Sequence, residues 1–229
     1  MKETLFYLPE RSPALSFAAA NLSAAGVKFT DMPSSAVTHV LLPVPTRNLA
    51  LIDEFPENVT IFGGNTPEGQ HRIVDILKDE KYLLENARIT AYCAVKVATD
   101  HLQAIWADLP VLVIGYGRIG KFLAELLQAL GAKVTVASRM SIGSGHFFVT
   151  KTSSLDPSAY RVIFNTAPAP VMDSSQTREN TILIDLASQR GISGSNVIWA
   201  RGLPGRITPE SSGALIAKTV LCYLEKEDL

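Results

Sequence analysis

Val111-Leu112-Val113-Ile114-Gly115-Tyr116-Gly117-Arg118-Ile119-Gly120 is the stretch that decides the fold. Four apolar residues run straight into Gly-x-Gly-x-x-Gly, and Lys121 to Leu130 then reads as a helix that Gly131 stops. Glycines are common in loops, so the motif alone is weak. Its context makes it specific: a strand precedes it, a helix opens from it, and a second strand, Val134 to Ala137, ends about twenty residues on. In that setting Gly115 permits the tight turn, Gly117 lets the backbone approach a pyrophosphate, and Gly120 brings helix and strand close. The amides at the helix start, with the positive end of its dipole, would hold the anion. Tyr116, Arg118 and Ile119 therefore join the three glycines as cofactor-binding candidates.

The end of the second strand selects the dinucleotide. An acidic side chain there accepts hydrogen bonds from a free ribose 2′-hydroxyl and repels a 2′-phosphate. Here Val134-Thr135-Val136-Ala137 runs into Ser138-Arg139, with no Asp or Glu. A hydroxyl followed by a guanidinium suits a phosphate, so NADP(H) is favoured over NAD(H). A solvated loop arginine would look the same in the sequence.

Upstream, the break at Asp108-Leu109-Pro110 marks a fresh start. Before it, Thr4 to Leu8 reads as a strand, and Ser12-Pro13 caps a helix that ends at Gly26. Val27 to Thr30, Thr38 to Val44 and Val59 to Phe62 are short apolar runs of the kind buried on both faces of a parallel sheet. Thr66-Pro67-Glu68 opens a predicted helix to about Leu77, Lys81 to Glu85 reads as one more strand, and Ile89 to Ile105 as a long helix. Beyond the glycine loop, Val162 to Asn165, Ile182 to Asp185 and a weaker Asn196 to Trp199 read as strands, and Ser211 to Leu224 as an amphipathic helix. The expected fold class is α/β in two domains. Residues 108–210 form a Rossmann dinucleotide-binding, doubly wound parallel sheet. Residues 1–107 form a smaller flavodoxin-like α/β domain for substrate and dimerisation, completed by a C-terminal helix over 211–229.

Composition narrows the partners. With 21 basic against 22 acidic residues and a net charge of −1 there is no broad field, which disfavours nucleic acid and anionic membranes. No segment reaches the ~18 to 20 apolar residues of a membrane helix, and the apolar run at the amino terminus is short for a secretory signal, so a cytoplasmic protein with a small partner is expected. Cys93 and Cys222 lack metal-site spacing and read as reduced core residues. His39, His71, His101 and His146 are scattered and read as structural or solvated.

Three further loops leave strand ends, where ligands bind in open α/β sheets: Asn165-Thr166-Ala167-Pro168, Asp185-Leu186-Ala187-Ser188 and Gly202-Leu203-Pro204-Gly205-Arg206-Ile207-Thr208-Pro209. Together with GYGRIG and the Ala-rich helix ahead of it, they make the chain similar, over most of 82–224, to the family of the dipicolinate synthase A subunit. The resemblance implies a dehydrogenase-like component of sporulation that works with a flavoprotein-like B subunit. It would oxidise a dihydrodipicolinate-type dicarboxylate to dipicolinate with a pyridine nucleotide. Thr166, Ala167, Pro168, Leu186 and Gly202 become cofactor candidates by the same resemblance. Arg201 or Arg206, with Thr208, Ser211 and Ser212 supplying hydroxyls, become substrate-carboxylate candidates, with N-capping the alternative role for the two serines. Aromatisation needs a base, for which Asp185, Ser188 and Tyr92 are candidates, and Asp185 could instead orient its loop through backbone amides. A homo-oligomer is expected, a dimer being feasible.

The chain also departs from the family. It has Thr90-Ala91-Tyr92-Cys93 where the family reads Thr-Ala-Glu-Gly, and Pro209-Glu210-Ser211 where the family tends to read Pro-Lys-Thr. Two other functions therefore stand beside the synthase reading. One is a nucleotide-binding subunit or sensor without a substrate site. The other is a dehydrogenase of another small carboxylate.

Overall fold

The computed structural model describes residues 4–67, 69, 71–139, 148–150 and 155–227. Glu68 and His146 lie outside them. The chain divides into two compact units, Met1–Asn86 with Pro204–Leu229, and Ala87–Leu203.

In the first unit β1 (Leu5–Tyr7), β2 (Lys28–Thr30), β3 (His39–Leu41), β4 (Thr60–Gly63) and β5 (Arg72–Asp75) form a parallel sheet of order β2-β1-β3-β4-β5. That is the flavodoxin-like order. Alternate residues serve opposite faces. Phe6, Leu41 and Phe62 pack with Leu15 and Leu22 of α1 (Pro13–Ala24) and with Ile216 and Val220 of α5 (Pro209–Glu227), whereas Val40, Leu42 and Ile61 pack with Ile52. Both faces are covered, which is why these strands read as unbroken apolar runs. Ser12 caps α1 by accepting the Leu15 amide at 3.2 Å. Gly213 lets α1 and α5 approach closely, since a Cβ there would lie 2.4 Å from the Ala14 carbonyl.

Two expected elements differ. Instead of a helix reaching Leu77, the chain forms β5 and a 3-10 turn over Ile76–Lys78. Ile73 and Val74 pair with Ile61 and Phe62 of β4, and Asp75 accepts the Leu77 amide at 2.9 Å to start the turn. Lys81 to Glu85 is not a strand but the first turns of α2 (Glu80–His101), because the Asp79 carboxylate accepts the Tyr82 amide at 2.8 Å and caps a helix there. Tyr82 belongs to the first unit's core, whereas residues from Ala87 onward belong to the second unit. The division therefore falls within α2, not near 107, and the return falls at Pro204, not 211.

In the second unit β6 (Pro110–Ile114), β7 (Lys133–Ala137), β8 (Phe148–Thr150), β9 (Val162–Asn165), β11 (Ile182–Asp185) and β13 (Val197–Trp199) form a parallel sheet of order β13-β11-β9-β6-β7-β8. Numbered within the unit this is 6-5-4-1-2-3, the doubly wound dinucleotide-binding order, with its switch point between β6 and β9. Helix α3 (Arg118–Ala129) follows β6. A separate parallel pair, β10 (Met172–Asp173) and β12 (Ile192–Ser193), clips two later loops together. The last glycine-containing loop holds a short helix, α4 (Leu203–Ile207). Because α5 begins at Pro209, Ser211 and Ser212 lie inside its first turn and do not cap it. Cys93 is buried and Cys222 is exposed, so only the first is a core residue. No helix among the described residues is long and apolar enough to cross a membrane.

Candidate functional site

The site begins where β6 and β7 end side by side: the Gly115 amide donates to the Ala137 carbonyl at 2.8 Å, so the glycine loop and Ser138-Arg139 leave neighbouring strand ends. The three motif glycines are glycines for different reasons. Gly115 has φ +96°, and a Cβ there would lie 2.5 Å from Thr166 Oγ1. At Gly120 a Cβ would lie 2.2 Å from the Gly115 carbonyl oxygen, so that position packs helix on turn. Gly117, the N-cap of α3, has φ −78° and nothing within 4 Å of a built Cβ. Neither backbone nor protein packing demands glycine at 117. The absent side chain instead keeps open the approach to the first turn of α3, whose leading amides have no acceptor within the helix.

That approach opens into a cavity of about 660 Å³ lined by Ile114 to Gly117, Lys121, Ala137 to Arg139 and Thr166 to Val171. Among the described residues, its charged lining residues are Lys121 and Arg139. Thr166 donates from its hydroxyl to the Ile114 carbonyl at 3.0 Å, tying the β9 loop to the end of β6 across the switch point. The open glycine, the helix start, the basic strand end and the Ala-Pro-rich wall fit a dinucleotide. No group of His, Cys, Asp or Glu among the described residues could hold a metal ion.

Behind the wall lies a buried polar node. Asp185 and Asn165 are both fully buried, at the paired ends of β11 and β9. Asp185 Oδ1 accepts from Asn165 Nδ2 and the Ala187 amide, each at 3.0 Å, and Oδ2 accepts from the Gly191 and Ile192 amides at 2.7 and 2.9 Å. Asn165 then holds both backbone groups of Ala167, through Nδ2 to the carbonyl at 3.1 Å and Oδ1 from the amide at 3.0 Å. Gly191 packs so tightly that a Cβ would meet the Ala169 carbonyl at 2.4 Å and Asn165 Nδ2 at 2.5 Å. From outside, Trp199 Nε1 donates to the Ala187 carbonyl at 3.2 Å, and Arg201, 5.5 Å from the centre of that indole, donates to the Ser188 carbonyl at 3.0 Å. The loops after β9 and β11 are thus held as one piece.

No protein-family model matches the chain. The A subunit of dipicolinate synthase from Bacillus subtilis (strain 168) is 24% identical over 195 residues, 74% of this chain and 66% of that protein, just under two thirds of its length. The crystal structure of the corresponding A subunit from Bacillus halodurans superposes with a TM-score of 0.80 at 20% identity, over 97% of this chain and 98% of that one. The chain is similar to the dipicolinate synthase A subunit in sequence and in fold. The transhydrogenase of Sinorhizobium meliloti also superposes, with a TM-score of 0.73 at 14% identity, over 97% of this chain and 94% of that one. At these identities the superpositions speak for the fold, two parallel sheets covered by helices.

The cavity brings together Gly115, Tyr116, Gly117, Ser138, Arg139, Thr166, Ala167 and Pro168. It does not include Arg118, Ile119, Gly120, Leu186 or Gly202. Gly120 is spent on packing, and Leu186 is buried, with its amide donating to the Asn165 carbonyl at 2.8 Å. Asp185 takes the loop-orienting role: it accepts from three backbone amides and one amide side chain, and its burial leaves no face for a substrate proton. Ser188 is exposed and gives its carbonyl to Arg201. Tyr92 is 60% exposed on α2 and does not line the cavity. Arg206, Thr208, Ser211 and Ser212 fall in the first unit. Of these, Ser212 is buried, and the Thr208 hydroxyl donates to the Pro204 carbonyl at 3.3 Å. The sequence reading missed Lys121 and the wall from Ala169 to Val171. Lysine directly after the third glycine, and a second proline two residues after Pro168, were the available signals.

Proposed function

We propose that this chain is an NADP(H)-dependent oxidoreductase subunit of the dipicolinate synthase type. With a flavoprotein-like second subunit it oxidises a dihydrodipicolinate-type dicarboxylate to dipicolinate in the cytoplasm of a sporulating cell. The observation that carries the dinucleotide part is Gly117, a glycine that neither its φ nor its neighbours require, placed at the start of α3 beside a cavity. When bound, the nicotinamide supplies the hydride acceptor for aromatisation of the ring. The α3 amides and Gly117 hold the pyrophosphate, Ser138 and Arg139 meet the 2′-phosphate, and Ala167 to Val171 keep water from the apolar side of the cavity. Arg206 and Ser211, both exposed, are the side chains for the dicarboxylate.

Ultraviolet detection of dipicolinate, from dihydrodipicolinate supplied with NADP⁺ with and without the flavoprotein-like partner, tests the proposal. Product is expected at least in the pair. Silence in both, with nucleotide binding intact, favours the binding or sensor function instead. One observation already points that way: among the described residues, the cavity lining includes no carboxylate and no imidazole.

A further inference from the structure

Lys121 lines the cavity from the first turns of α3. Helix α3 has no acidic residue in its first turn, and it places Arg118 at its first position and Lys121 three residues later. Cations there oppose the helix dipole, which favours anions at that end. Lys121 Nζ lies 5.5 Å from the centre of the Tyr116 ring, so the side chain folds back over the glycine loop and not away along the helix. Tyr116 follows Gly115, and the Gly115 amide is bonded at 2.8 Å to the carbonyl of Ala137, the residue before Ser138 and Arg139. The fold thus brings the lysine toward the strand end that carries Arg139, and both line one cavity, with no carboxylate among its described lining residues. Two cations from different elements, lining one cavity with Ser138, exceed what a pyrophosphate already served by helix amides requires. They match a further, doubly ionising phosphate monoester.

Building on the NADP(H) reading, we infer that Lys121 is a specificity-determining residue that pairs with Arg139 on a phosphate carried by the ribose 2′-oxygen. The Tyr116 ring positions its ammonium. Lysine, a compact point charge, takes the monoester from one side while the guanidinium forks onto it from the other.

Calorimetric titration of the full chain with adenosine 2′,5′-bisphosphate and with adenosine 5′-monophosphate reads this half of the site without the nicotinamide. The unsubstituted chain should prefer the bisphosphate. Lys121→Gln should weaken the bisphosphate by about tenfold, the worth of one partly exposed charge-assisted contact, and leave the monophosphate within about twofold. Lys218→Gln, the same charge change at an exposed position on α5, should alter neither. If the unsubstituted chain shows no preference, the Ser138-Arg139 reading fails and this inference with it. If the preference exists and Lys121→Gln keeps it, or weakens both probes alike, Lys121 does not read the 2′-phosphate and the inference alone is overturned.

Discussion

Replacing Asp185 with asparagine separates a residue that shapes the site from one that performs chemistry in it. The carboxylate is fully buried and accepts four hydrogen bonds of 2.7 to 3.0 Å, two on each oxygen. An asparagine keeps the shape but has one acceptor oxygen. Whichever way it is turned, two donors lose their acceptor and face an amide NH₂: Gly191 N and Ile192 N in one orientation, Asn165 Nδ2 and Ala187 N in the other. An unsatisfied buried donor costs about 1–3 kcal/mol, and removing a buried charge returns part of that, so a net loss of about 3 kcal/mol is expected. For a chain of this length that corresponds to a fall in Tm of roughly 6–12 °C.

Calorimetric unfolding, followed by NADPH and NADH titration below the transition, measures both consequences. The wall from Ala167 onward is held through Asn165, so both nucleotides should weaken together, unlike the selective loss expected at Lys121. A stability loss under about 1 kcal/mol would refute the hydrogen-bond accounting. An Asp185→Asn protein that binds both nucleotides normally, melts normally and has lost all turnover would show that Asp185 is the base after all.

Gly117→Ala should leave stability within about 0.5 kcal/mol, since its Cβ meets nothing, yet lower NADPH affinity at least tenfold by titration; unchanged affinity contradicts the open-approach argument. Gly120→Ala, with its Cβ 2.2 Å from a backbone oxygen, should instead cost about 2–4 kcal/mol in denaturant unfolding, and a neutral result would mean that α3 can shift freely. Burial pushes the Tyr82 phenol from 10.0 up to about 12. The stabilising contribution of the neutral phenol is complete below pH 10 and is lost as pH rises toward 12. Tyr82→Phe should therefore flatten the alkaline decline of Tm, and equal slopes would contradict this. The Ser175 side chain, then Ser193, hold the Asp173 carboxyl down at about 2 from 3.8. Its contribution is present above pH 3.8 and is lost as pH falls through 2, so NMR shifts of the β10–β12 amides should move together with a midpoint near about 2; a midpoint near 4 would show that these hydroxyl contacts do not form.

What could be read from the sequence was local. Strand, glycine loop and helix are contiguous over 110–130, and Ser138-Arg139 follows from strand length alone; of these, Gly115, Tyr116, Gly117, Ser138 and Arg139 line the cavity, whereas Arg118, Ile119 and Gly120 do not. The β5 strand was hidden because only Ile73 and Val74 are apolar and polar residues flank them; its partner, β4, is what makes it a strand. Tyr82-Leu83-Leu84 looks like a strand by composition, but the Asp79 cap sets a helix that buries Tyr82 and leaves Leu84 45% exposed. The chain break at Asp108-Leu109-Pro110 is real, with Asp108 at φ +59°. The unit boundary nevertheless lies elsewhere, because it depends on what each end of α2 packs against. Asp185 was ambiguous for a similar reason: nothing in Asp-Leu-Ala-Ser signals that amides six and seven residues later turn back onto the carboxylate.

The side chains that look catalytic by type and the groups left for a ligand are different sets. Asp185, Asn165 and the Thr166 hydroxyl are engaged in bonds that set the position of the β9 loop. Among the described residues, what the cavity offers beside Ser138, Thr166 and its apolar wall is an uncovered glycine, a helix start and two cations. On the proposed function, a site divided this way would contribute by presenting a bound cofactor, which leaves the redox chemistry to the cofactor itself. The division has a measurable form. Substitutions in the buried node should lower affinity for every dinucleotide in proportion to the stability they remove, whereas substitutions at Lys121 or Arg139 should change the ratio of NADPH to NADH affinity at constant stability. If a single substitution at Lys121 or Arg139 lowered stability as much as Asp185→Asn does, shaping and recognition would not be separable here, and the cavity would have to be treated as one cooperative unit.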